Sequence, residues 1–265
     1  MSNRLVARGI IEGSKRPFFP TSLTPRNKSI AEKIVYPVYL SAIKVQTDML
    51  RTLARLLSYL FHPLFVLTYL LVLLLCLNPY LFGANSIDSP IGKVLILRIF
   101  LSSAFIPGAA VLMLRFTGLL KSLDMPDKQD RTGPLIITGM FYIWLFRNFL
   151  DNTQVPALLS SFTLGASLGL FLAFFINIFS KISLHAVGMG GLIGAVALLW
   201  GICPEYLLRA GHPLLQAGFL FPVLFVLAGG VGSARMYLGA HQPADLWGGY
   251  LVGFAAQLVA ARFIL

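Results

Sequence analysis

The sequence predicts an all-α integral membrane protein: a bundle of about seven transmembrane helices behind a basic N-terminal segment. Three observations carry this. Hydrophobic residues make up 57% of the 265 residues and charged residues only 12%, whereas a soluble domain averages roughly 25% charged. Mean hydropathy is +0.80. The apolar residues fall in runs close to the ~20 residues that cross a bilayer, and the positive charge is concentrated ahead of them.

Seven runs can be read along the chain, at 56–78, 94–116, 134–150, 155–178, 184–203, 213–234 and 245–263. The third is short for a full crossing, which implies tilt or a partly interfacial start. Ahead of the first, residues 30–53 mix apolar positions with Lys33, Lys44, Asp48 and Arg51, the pattern of an amphipathic helix lying on the membrane. This divides the chain into a tail, 1–53, and a transmembrane bundle, 54–265. The connections are short, so one helical domain is expected, and no internal repeat is visible. Gly165 and Gly169, Gly190 and Gly194, and Gly249 and Gly253 recur at helical spacing. Such pairs let helices approach closely and say nothing about a substrate.

The first fifty-five residues carry ten basic against three acidic side chains, most of the net charge of +11. A basic segment ahead of a membrane bundle is read most simply as a cytoplasmic tail held near anionic headgroups. Membrane lipids, and no nucleic acid, are therefore the expected partners, since few aromatic residues are interleaved with the charge. The first apolar run begins too late for a cleavable signal peptide. Cys76 and Cys203 form no C-x-x-C and no Cys/His cluster. Counting helices puts both near one membrane face, leaving a disulfide open, with two inert thiols the simpler reading.

Ionisable side chains are expensive in hydrocarbon and usually mark a site. Three clusters qualify: Lys121 to Arg131 between the second and third runs, Ser183-Leu184-His185 at the start of the fifth, and Arg235 to Asp245 between the sixth and seventh. Two crossings separate each cluster from the next, and an even number returns the chain to the same face. All three thus share one side of the membrane, as a composite site requires.

The third cluster reads Arg235-x5-His241-x3-Asp245. Pro243 suits the first turn of a helix, which puts His241 just before the seventh helix and Asp245 about one turn later. A carboxylate there can accept a hydrogen bond from one imidazole nitrogen, fixing the tautomer and leaving the other nitrogen to attack an electrophile. The plainer alternative is an interfacial Arg and His at a helix end. Ser183 and His185 sit at another helix start, where exposed N–H groups and the macrodipole favour an anion; alone, Ser183 is equally an N-cap.

The spacing R-x5-H-x3-D resembles the third signature motif of the type 2 phosphatidic acid phosphatases, integral-membrane lipid phosphatases related to haloperoxidases. Ser183-x-His185 resembles the second, although Ile182 and Leu184 stand where that family has Pro and Gly. The first motif, a Lys, six intervening residues and then Arg-Pro, is not reproduced from either Lys121 or Arg131, but Lys128 and Arg131 would share a helical face. The resemblance covers residues from about 121 to 250. It implies a metal-independent lipid phosphatase without cofactor, acting on a phosphomonoester or diphosphate. His241 would form a phosphohistidine and Asp245 would orient it. His185 would protonate the leaving alkoxide, and Arg235, Arg131, Lys128 and Ser183 would hold phosphate oxygens. Two other readings stand beside it. Asp124, Asp127 and Asp130 are spaced to hold Mg²⁺ in an intramembrane prenyltransferase or alcohol phosphotransferase, and a transporter or scaffold would need no chemistry. The basic residues on the site's face outnumber those opposite, so the positive-inside rule puts the site on the cytoplasmic side of the cell (inner) membrane.

Overall fold

Hydrocarbon offers no partner to backbone N–H and C=O groups, so apolar runs of this length must satisfy them internally, as helices do. The computed structural model of the chain describes residues 25–123, 125, 127–152, 155–202 and 219–265, and every regular element among them is helical. Seven helical stretches among the described residues are long and apolar enough to cross a membrane. The chain is therefore an all-α membrane protein with seven candidate spans. The tail up to residue 24, Asp124, Cys203 and the first residues of the sixth run lie outside the described residues.

Helix α1 runs from Pro25 to Leu60. It passes without a break through the segment expected to be a separate surface helix and through the expected boundary at residue 53. The break comes later, at His62-Pro63. Proline has no N–H and pushes the residue before it out of helical conformation, and His62 is extended, with φ −64° and ψ 137°. A short 3-10 turn, Pro63–Phe65, then leads into α2, Val66–Leu77.

Helix α3, Pro90–Phe100, starts from Ser89, whose hydroxyl accepts from the Gly92 N–H. A π turn at Leu101–Phe105 joins it to α4, Ile106–Phe116. Pro107 lies one residue into α4 and cannot donate to the preceding turn, which accounts for the local widening. Helix α5, Thr132–Leu150, follows a 3-10 turn at Gln129–Arg131, giving the short third run its full crossing length. Helices α6, Ala157–Phe179, and α7, Leu184–Ile202, follow closely. Helix α8 is Leu220–Tyr237 and α9 is Pro243–Ile264. Arg235 thus belongs to the last turn of α8, not to the loop after it.

The central helix is α9, which packs most extensively on α7 and α6. Close approach requires glycine at its contact face. A Cβ at Gly249 would meet the Ser183 carbonyl oxygen at 2.7 Å, and one at Gly253 would collide with the Val187 carbonyl. A core of Leu71, Leu75, Phe149, Phe162 and Met189 fills the bundle away from the site. Phe175, Phe225, Val226 and Phe263 point outward and are well exposed. On a soluble surface they would invite association; against lipid tails they are at home.

Candidate active site

The spacing of Arg235, His241 and Asp245 is explained by two helix caps placed back to back. Helix α8 ends in a Schellman motif: the Gly239 N–H donates to Met236 O at 2.8 Å and the Ala240 N–H to Arg235 O at 3.0 Å. Gly239 has φ +67°, a left-handed conformation that a side chain would strain. Four residues later α9 begins with a capping box. Gln242 is the N-cap and Asp245 the N3 residue, whose carboxylate Oδ2 accepts from the Gln242 N–H at 3.0 Å. The same oxygen lies 3.3 Å from His241 Nδ1. One carboxylate oxygen therefore starts the helix and orients the imidazole. Because a carboxylate only accepts, Nδ1 carries the proton and Nε2 keeps its lone pair.

Ser183 N-caps α7, its hydroxyl accepting from the Ala186 N–H at 3.4 Å. Its own N–H donates to the Asp245 carbonyl at 3.2 Å, tying the starts of α7 and α9 together. Ser183 is fully buried and is not among the residues lining the cavity, so it supports the site from behind. Two residues on, the His185 Nε2–H donates to the Ser58 carbonyl of α1 at 3.0 Å, which fixes the ring of a buried histidine.

Lys128 and Arg131, expected to act together, diverge. The ammonium of Lys128 donates to the carbonyls of Ile178, at 2.9 Å, and Phe179, at 3.3 Å. These are among the last carbonyls of α6, which a cation caps favourably, and Lys128 is not among the cavity-lining residues. The divergence follows from the irregular backbone before α5, where no continuous helix aligns positions three apart. Arg131 is 7% exposed and turns inward. Its Nε–H donates to Met125 O at 3.1 Å and Nη1 to Ile182 O at 3.2 Å. Met125 has φ 43°, a strained value for a side-chain-bearing residue, and its carbonyl is aimed at the guanidinium.

Arg131, His185, Arg235 and His241 all line one cavity of about 570 Å³, within the range of small-molecule sites. The three sequence clusters thus converge on one face. The cavity adds His62, which sequence reasoning missed. Its ring stands edge-on to His185, with centroids 5.4 Å apart, and its Nδ1 accepts from the Leu64 N–H at 3.4 Å. The signal lay in His62-Pro63, a polar helix breaker inside an apolar run. Lys181 also lies within electrostatic range of Arg131, Arg235 and Asp245.

The electrostatics follow from this crowding. Burial first, then the charges of Arg131 and Arg235, push the pKa of His241 down to about 4, against the opposing hydrogen bond from Asp245. His241 is thus neutral at physiological pH, as a nitrogen nucleophile must be. The Lys181 pKa is lowered by partial burial and by Arg131, with Asp245 opposing. Concentrated positive charge around a polar cavity mouth suits a polyanion such as a phosphate group.

Asp127 is exposed and Asp130 half-buried. No group of three His, Cys, Asp or Glu able to hold a metal ion occurs among the described residues, which do not include Asp124. No protein-family model, curated protein or solved structure matches the chain.

Proposed function

We propose that this protein is a membrane lipid phosphatase that cleaves a phosphomonoester or diphosphate from a lipid through a phosphohistidine. One observation carries the reading. A neutral, carboxylate-oriented His241 shares a cavity with Arg131, Arg235 and a second buried histidine, His185, at a membrane-spanning bundle. Catalysis of phosphoryl transfer is almost wholly positioning and charge stabilisation, and these residues supply both.

In the first step the His241 Nε2 lone pair forms a bond to phosphorus while the bond from phosphorus to the lipid oxygen breaks. The departing alkoxide takes a proton from Nδ1 of His185, which must enter the step as imidazolium, a form that the bound phosphate dianion favours. The Ser58 carbonyl, accepting from Nε2–H, steadies the protonated ring before transfer. In the second step water attacks phosphorus, its proton passes to His185, and the nitrogen–phosphorus bond breaks to return the electron pair to His241. Inorganic phosphate leaves. Arg131 and Arg235 stabilise the equatorial oxygens, which carry more charge in the transition state than in the ground state. The basic residues on the site's face, and the positive-inside rule, support a cytoplasmic-facing site in the cell (inner) membrane.

The test is phosphate release from a short-chain phosphatidate in detergent with EDTA present, comparing the native chain with His241→Ala. Release by the native chain and its abolition in a folded variant are expected. Activity of the variant within about tenfold of the native chain, a mere ~1.4 kcal/mol of barrier, would remove His241 from the nucleophilic role. Dependence on added Mg²⁺ would favour a metal-dependent phosphotransferase instead.

A further inference from the structure

His62 lines the same cavity as His185 and His241, and the break at the end of α1 puts it there. Pro63 has no N–H and drives the residue before it out of helical conformation. The helix tightens as it ends: the His62 N–H donates to the Tyr59 carbonyl, three residues back, at 3.3 Å. In a regular α-helix its partner would be the Ser58 carbonyl, which is thereby released from the ladder. That carbonyl is the one that accepts from His185 Nε2–H at 3.0 Å. One proline thus frees the group that pins His185 and sets the His62 side chain beside it. The two rings meet edge-on, with centroids 5.4 Å apart and planes at 81°. Phe65, itself stacked on Phe100, packs edge-on to His62 as well.

Hydrogen bonding fixes which nitrogen of His62 is offered to the cavity. Nδ1 accepts from the Leu64 N–H at 3.4 Å, which it can do only unprotonated. The ring is therefore neutral and its proton sits on Nε2, on the edge away from the Leu64 backbone. Nε2 has no hydrogen-bond partner among the described residues, and it is not one of the unpartnered atoms sealed from solvent there. A donor held in one orientation and open to a cavity is placed to bond a ligand oxygen. His185 presents the complementary edge: its Nε2 is taken by Ser58, leaving Nδ1 for the cavity. Arg235 lies within electrostatic range of both rings.

We infer that His62 is a further catalytic residue, a role that rests on the phosphatase reading: its Nε2–H donates a hydrogen bond to the oxygen joining phosphorus to the lipid. In-line transfer puts the leaving oxygen away from the attacking His241 and at His185, and His62 is the ring beside His185. As the bond from phosphorus to that oxygen breaks, the electron pair stays on the oxygen and the His185 Nδ1 proton moves to it. The His62 proton stays on Nε2. His62 thus stabilises charge building on the oxygen without changing its own protonation. Such a donor acts in proportion to that charge. It contributes most for an alkoxide and least for a nitrophenolate, whose ring already spreads the charge.

The two edges of the ring can be removed separately. In His62→Asn the side-chain oxygen can replace Nδ1 as acceptor for the Leu64 N–H, while nothing reaches the position of Nε2. In His62→Gln the amide nitrogen can take the Nε2 position and donate, while the cap is lost. Phosphate release by the full chain in detergent is measured from dodecyl phosphate and from a dodecyl-substituted nitrophenyl phosphate, with thermal unfolding of each variant alongside. On dodecyl phosphate, His62→Asn is expected to lower kcat about a hundredfold with KM changed less than about threefold. On the nitrophenyl ester the same variant is expected to lose less than about fivefold. His62→Gln is expected to recover at least about a tenth of the native kcat on dodecyl phosphate, although it unfolds at a lower temperature than His62→Asn. A purely structural cap gives the opposite order, with His62→Asn near native and His62→Gln the weaker on both substrates. That order, or an equal loss on both substrates, overturns the role of His62 and leaves the phosphatase reading in place. No release from either substrate by the native chain sinks that reading, and the role with it.

Discussion

Asp245 holds two jobs on one oxygen, and substitutions there can separate them. Oδ2 accepts from the Gln242 N–H at 3.0 Å and faces His241 Nδ1 at 3.3 Å. In Asp245→Asn the amide oxygen can occupy the same position and keep both contacts, losing only the charge. A hydrogen bond to a charged group contributes about 1.5–3 kcal/mol, against about 0.5–1.5 for a neutral one. The difference, about 1–1.5 kcal/mol, corresponds to a rate loss of roughly five- to fifteenfold. In Asp245→Ala the oxygen is gone. The rate should fall by roughly ten- to 150-fold as the full 1.5–3 kcal/mol is lost. The capping box is lost with it, costing about 0.5–2 kcal/mol of stability. The assay pairs initial rates of phosphate release with thermal unfolding in the same detergent. The expected order of rates is native, Asn, Ala, then His241→Ala at background, with unfolding lowered in Asp245→Ala and little changed in Asp245→Asn. An Asn variant as inactive as His241→Ala would mean that the orienting-carboxylate argument is wrong. A fully active Ala variant would mean the same.

Three further outcomes are expected. Arg131→Ala should lose about 2–4 kcal/mol of transition-state stabilisation, by analogy with removing an oxyanion donor. Asp127→Asn should lose little with or without Mg²⁺; the reverse pattern would establish the metal-dependent alternative. Lys128→Met should lower thermal stability by about 1 kcal/mol through loss of the α6 cap while changing the rate far less than Arg131→Ala, and a comparable rate loss would restore Lys128 as a phosphate ligand. For pH, a His241 nucleophile would be active in its neutral form, and its pKa is depressed to about 4. Its acid limb in kcat/KM should therefore lie near pH 4. Unfolded His241 takes up its proton near pH 6.5 while the folded form resists, so stability is present above about 6.5 and is lost as pH falls toward 4. A limb near 6.5 that survives in His185→Gln, assigning it to His241, would refute the depressed value.

Much of the fold was legible because bilayer thickness sets run length and hydrocarbon enforces helix. The runs at 155–178 and 245–263 therefore became α6 and α9 nearly unchanged. The limits that moved were those set by polar chemistry: α1 continues past residue 53 and breaks at Pro63, and α8 carries Arg235 in its last turn. The common face of the three clusters followed from counting crossings, which needs no coordinates.

Within the site, the sequence by itself determined what is local. Arg235, Gly239, His241, Pro243 and Asp245 are spaced as one helix end and one helix start, and caps form between residues a few positions apart. Tertiary structure alone decided which side chains share a cavity. Lys128 and Arg131 lie three positions apart, yet one caps α6 and the other reaches the cavity beside Met125 and Ile182, because their directions depend on where α6 and α7 pass. His62 meets His185 across more than a hundred residues, and Gln257 packs against Gly165 of another helix. Such contacts depend on how helices cross, which neither hydropathy nor spacing along the chain encodes.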